Sequence, residues 1–90
     1  TAYTAVDGDQ IFVNTTANPI TVTLPASPSV GSEVSFIDAR GTFNSNNLII
    51  NRNGSNILSN AANLTLTTNG AAFTLVFVDS TRGWAYKDNI

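Results

Sequence analysis

Residues 20–41 and 64–83 state one strand–turn–strand phrase twice, and that echo restricts the chain to a repetitive β architecture. In each copy an alternating strand (Ile20, Val22, Leu24; then Leu64, Leu66) meets a turn rich in Pro or Asn-Gly, and a second strand follows. The second strands end alike: Phe36-Ile37-Asp38-Ala39-Arg40-Gly41 matches Phe77-Val78-Asp79-Ser80-Thr81-Arg82-Gly83 with one inserted residue. A further short strand precedes each copy, Ile11 to Asn14 or Leu48 to Asn51, so the two units run over 10–41 and 48–83. Their spacing drifts, as it does when loops change length while paired strands are kept.

No window carries apolar residues at the three-and-four spacing of a helix, and the strand formers Thr, Val, Ile and Phe dominate. The pattern predicts strands over 2–5, 10–14, 20–24, 33–38, 48–51, 56–58, 64–67, 71–78 and 83–87, separated by turn residues at short intervals. Asn69-Gly70 reads as a two-residue hairpin turn, and Asn53-Gly54 as another turn. Pro25 and Pro28 lack the ladder N–H, which makes 24–31 a surface crossover from one sheet to the other. The polar run 42–47 is expected to be a mobile loop. The fold class is therefore all-β: a small antiparallel β-sandwich or barrel-like domain of two similar strand–turn–strand units, a single domain over 1–90. The start at Thr1 rather than Met predicts a processed product or a segment of a longer protein.

Charged residues form 11% of the chain, against about 25% in ordinary soluble domains, while Asn and Thr supply twelve residues each. Solubility thus rests on amides and hydroxyls. With a net charge of −2 and only Arg40, Arg52, Arg82 and Lys87 as cations, no nucleic acid or anionic lipid is expected as partner. The longest strongly apolar stretch, Phe73 to Val78, is far below the roughly 20 residues of a membrane-spanning helix, so no membrane insertion is expected.

Histidine and cysteine are absent, which removes the imidazole base, the thiolate nucleophile and most zinc sites. Six carboxylates remain, Asp7, Asp9, Glu33, Asp38, Asp79 and Asp88, most of them in turns rather than facing one another across a cleft. The reading is a non-enzyme without cofactor. Asp7-Gly8-Asp9 offers too few oxygens for calcium, which takes six to eight, and fits a turn in which Asp accepts local N–H groups. The repeated Asp38…Arg40 and Asp79…Arg82 turns read as structural, the carboxylate fixing the turn and the guanidinium closing over it. The three Asn-x-Ser/Thr triplets match what this composition supplies by chance.

Phe73 to Val78 is apolar on both faces from Leu75 onward, and Phe36-Ile37 behaves similarly, whereas a half-exposed strand alternates. The second face is most simply covered by another copy, so a homo-oligomer is expected with Val34, Phe36, Phe73, Leu75, Phe77 and Trp84 as core or seam. Trp84 and Tyr86 share a face of the last strand. With Asn46 and Asn47 of the Asn-rich loop they form the candidate glycan contact, weighed against aromatic packing.

The ordered set Gly8-Asp9, Leu24-Pro25-x-x-Pro28-x-x-Gly31-x-x-Val34-x-Phe36-x-Asp38, Asn51-x-x-Gly54-x-x-Ile57, the apolar strand from Phe73 and Gly83-Trp84 resembles small β domains of bacteriophage virion proteins. Such domains occur in tail fibres and other appendages, notably of phages of aquatic bacteria, and the resemblance covers about residues 3–87. It implies an elongated, non-enzymatic homotrimer, intertwined or packed, located in the virion and bound to other virion proteins, with no catalytic residues to carry over. The expected function is that of a structural or assembly domain of a fibre or other appendage. One alternative is a glycan- or receptor-binding module at a fibre tip, in contact with a host surface glycan. Another is a subunit of a secreted extracellular filament or a capsid decoration protein, in which a terminal strand such as 1–5 completes its neighbour by β-augmentation.

Overall fold

Val34, Phe36 and Asp38 alternate with Glu33, Ser35 and Ile37, and this period of two builds β4 (Glu33–Asp38), with the first set buried and the second half-exposed. The same logic sets β1 (Ala2–Thr4), β2 (Gln10–Val13), β3 (Ile20–Thr23), β5 (Leu48–Asn51), β6 (Leu64–Leu66), β7 (Ala72–Asp79) and β8 (Gly83–Tyr86). The computed structural model describes residues 2–87, which hold these eight strands and no helix. Thr1 and Asp88 lie outside the described residues.

Two four-stranded sheets result, in the orders β1-β3-β5-β6 and β2-β4-β7-β8. The strands β1 to β5 fall alternately in the first and second sheet. Each return to a sheet therefore runs in the direction of the strand laid down before it, and β1/β3, β3/β5 and β2/β4 pair in parallel. The strand in the opposite sheet serves as the crossover that a parallel pair requires. Only β4/β7, β5/β6 and β7/β8 are antiparallel. The expected all-antiparallel sandwich is thus corrected to a mixed one that begins as a flattened coil.

The same cause overturns the hairpin at Asn69-Gly70. A turn is present there, with Ala71 N–H donating to the Thr68 carbonyl, but it joins β6 in one sheet to β7 in the other. Turn chemistry fixes a reversal and not the sheet that receives the next strand. Residues 24–31 do cross between the sheets, as the prolines required. Of the strands in the two units expected from the sequence, β3 and β6 share the first sheet and β4 and β7 are neighbours in the second, whereas the preceding strands β2 and β5 lie in different sheets.

The core lies between the sheets. Val22, Leu24, Leu48 and Ile50 face Val13, Val34, Phe36, Leu75, Phe77 and Trp84, with Ile57 and Phe43 filling the ends. Phe36 stacks on Phe73 at 5.1 Å between ring centroids, Phe73 meets Tyr86 edge-on at 5.7 Å, and Phe77 meets Trp84 edge-on at 5.6 Å. Each such pair adds about 0.5–1.5 kcal/mol beyond its area.

Residues 56–58, expected as a strand, instead enter a tight reversal in which Ile57 and Asn60 exchange backbone hydrogen bonds. Its central residues, Leu58 and Ser59, take positive φ of 52° and 69°. This reversal covers the free edge of β8: Trp84 N–H donates to Asn56 O, Leu58 N–H to Trp84 O and Ser59 N–H to Arg82 O. Gly83 makes the approach feasible, for a Cβ there would stand 1.9 Å from the Asn56 carbonyl oxygen.

Candidate functional site

Residues 42–47 are no loose loop. Phe43 is fully buried in the core, and the hub that holds the segment is Asp38 at the end of β4. Its Oδ1 accepts from the backbone N–H groups of Arg40 (3.4 Å) and Thr42 (3.2 Å), and its Oδ2 from those of Phe43 (3.2 Å) and Gly70 (3.0 Å). Thr15 and Thr42 hydroxyls bond at 2.6 Å, and the Asn46 amide donates to the Thr15 carbonyl at 2.9 Å. The Asn47 amide donates to the Phe43 carbonyl. Polar composition suggested mobility, yet these short side chains bond backbone groups and order the loop. The lone aromatic Phe43 was the available signal.

Burial alone would raise the Asp38 pKa, but the four backbone N–H donors outweigh it and hold the carboxyl below its ordinary value. A pKa depressed by folding contributes stability that is present above the ordinary carboxylate pKa of about 3.9 and is lost as pH falls through the folded-state value. Asp38→Asn should cost about 2–4 kcal/mol at pH 7, because an amide presents N–H to donors that need an acceptor. Its melting temperature should also fall less than the parent's between pH 5 and pH 2. Equal melting of the two proteins at pH 7 would show that these bonds contribute nothing.

The other aspartates among the described residues also accept hydrogen bonds. Asp7 accepts the Glu33 N–H across 26 residues, Asp9 accepts the Tyr3 hydroxyl and the Val6 N–H, and Asp79 accepts the N–H groups of Thr81 and Arg82. The Asp38 and Asp79 turns are thus fixed by their carboxylates. Neither is closed by its guanidinium, since the ion pair among the described residues is Lys87 with Glu33 at 3.2 Å. No group of three or more His, Cys, Asp or Glu comes together among the described residues.

The residues expected as core or oligomer seam line the interior of one chain. Val34, Phe36, Leu75 and Trp84 are fully buried, Phe77 nearly so, and Phe73 is half-buried against Phe36 and Tyr86. Their alternation points them at the opposite sheet, and Val76 and Val78 carry the outer apolar face of β7.

The candidate glycan contact does not assemble. Trp84 is 0% exposed, its indole N–H has no partner among the described residues, and Tyr86 turns inward beside it onto Phe73. Asn46 and Asn47 spend amide N–H groups on backbone carbonyls beyond the far end of β4, whereas Trp84 sits beside Phe77, whose N–H bonds Ser32 just before β4 begins. About 20 Å of strand separates Trp84 from that end, and about 13 Å separates Tyr86, whose partner Leu75 pairs Val34.

The most exposed aromatic side chain lies on the outer face of the second sheet. Phe12, Ile37 and Ala72 lie side by side across β2, β4 and β7. Beside them run Gln10, Ser35 and Thr74, with the Ser35 and Thr74 hydroxyls bonded at 2.8 Å. A shallow groove follows Gln10, Ser35, Ile37, Ala72 and Thr74. Phe12 is 68% exposed, a residue the sequence reading passed over although the alternation of Gln10-Ile11-Phe12-Val13 had already put Ile11 and Val13 on the other face. This surface offers contact area and hydroxyls. The sequence matches no family model and no curated protein.

Proposed function

We propose that the chain is a non-enzymatic structural and assembly module of a phage fibre or other virion appendage. The observation that carries this reading is where its polar groups go: the carboxylates of Asp7, Asp9, Asp38 and Asp79 and the amides of Asn46 and Asn47 bond the chain's own backbone, while Phe12 and Val78 are left to solvent. A surface of this kind suits packing against other protein rather than binding or turning over a small substrate. The likeness of its Leu24-Pro25…Pro28…Gly31 element to virion β domains supplies the setting.

Antibodies raised against the chain should decorate appendages of purified virions in electron micrographs. Labelling confined to particle-free filaments in culture supernatant would overturn the reading in favour of a secreted filament. Saturable binding on a glycan array would favour a fibre-tip receptor module.

A further inference from the structure

The two ends of the strand stack are finished differently. At one end the edge of β8 is covered by the reversal at 57–60, and the neighbouring edge strand β6 is only three residues long. At the other end stand β1 and β2, joined by a short link and paired only inward, with β3 and β4. Among the described residues neither has a partner on its outer side. Soluble proteins blunt such edges with charge, proline or a bulge. β1 is, like β6, only three residues long, but the four-residue strand Gln10-Ile11-Phe12-Val13 contains none of these. Tyr3, Val6 and Phe12, 49%, 59% and 68% exposed, all belong to this terminal rung.

We propose that this open end is covered by the same end of a second copy, through antiparallel pairing of β2 with the partner's β2 about a two-fold axis. Three observations select that occupant. A side chain must lie opposite one on the same face of the extended sheet, so the register that centres on Phe12 sets it against the partner's Phe12 and sets Ile11 against the partner's Val13. Charge agrees: Asp7 and Asp9 stand at the start of β2, and Arg40 stands beside its end, where Ala39 N–H bonds the Val13 carbonyl. Antiparallel pairing therefore brings each acidic corner to the partner's Arg40. Parallel addition of a strand would leave Asp9 against Asp9. Exposure agrees as well, since Tyr3, Val6 and Phe12 at this end are all open to solvent and would be covered together. Because the opposite end is capped at β8, the contact closes at two copies instead of propagating into a fibre.

The chain has no cysteine, which gives a direct test. Residues facing each other across an antiparallel pair have Cα atoms about 4.5 or 5.5 Å apart, within disulfide range. Phe12→Cys should oxidise to a covalent dimer at least tenfold faster than Val78→Cys, which lies on the same outer face away from the edge. Light scattering from about 1 μM to 1 mM should show the parent rising toward twice the 9.5 kDa chain mass, with Phe12→Lys remaining at one chain and melting with the parent's cooperativity. A single-chain mass at 1 mM, or equal oxidation rates at positions 12 and 78, would overturn the proposal. A three-chain mass untouched by Phe12→Lys would overturn it as well, while leaving the structural role in a virion standing.

Discussion

Gly83→Ala should leave the protein insoluble or melting at least 20 °C below the parent. Two costs combine at this residue. Its φ of +74° is a left-handed conformation that disfavours a side chain by about 1–2 kcal/mol. The added Cβ would also stand 1.9 Å from the Asn56 carbonyl oxygen and 2.4 Å from its carbon, both backbone atoms held in place by the Trp84 N–H. Relief requires residues 56–60 to withdraw from β8, which exposes an edge beside the largest core side chain. Gly54→Ala separates the two costs, because its φ is +89° with nothing within 4 Å of a new Cβ. That variant should lose only about 1–2 kcal/mol. Thermal melts of both beside the parent decide the point, and similar curves for the two variants would show that close approach to Asn56 is irrelevant.

Phe77→Ala should lower stability by about 3–5 kcal/mol, the usual cost of deleting a buried ring. Phe77 is 9% exposed in the centre of the second sheet, paired with Trp84 across the strand boundary. A small domain holds about 5–15 kcal/mol in all, and each kcal/mol moves its melting point by about 4–8 °C, so a fall of about 12–40 °C is expected. Trp84 is the chain's one tryptophan and reports the cavity directly, through emission shifted to the red before the main transition. Ser45→Ala, exposed and with no side-chain bond to lose, should stay within about 0.5 kcal/mol. If Phe77→Ala melts with the parent, the core does not depend on this ring.

Strand positions were legible because alternation is a local property. Glu33–Asp38 and Leu48–Asn51 agree to the residue with the sequence reading, and most other boundaries fall within one residue. Strand partners were not legible. Whether the turn at Asn69-Gly70 returns β7 to the same sheet or sends it to the other depends on which buried face it must meet, a long-range matter that four turn residues do not encode. The candidate contact residues failed for a related reason. An aromatic pair on one face of a strand has the same spacing whether that face looks inward or out, and the burial of Trp84 under Ile57 and Leu58 depends on a reversal that the sequence presents as a strand. Asp38 was recognisable as a turn former, but its reach to Gly70, 32 residues away, was not.

The order in which partners emerge during synthesis follows from the coil. The inner edge of β4 is completed only by β7, so Val34 and Phe36 must wait for Leu75 and Phe73. Ribosomes add about 5–20 residues per second, which leaves β4 without that neighbour for about 2–8 s after it has been made. Among the described residues the only tight reversal between adjacent paired strands, β7 to β8, comes last. A nascent chain in this state carries β4 with β2 on one edge and an open second edge for seconds, so the yield of folded protein should depend on translation speed and on chaperones that shield β4 during that interval.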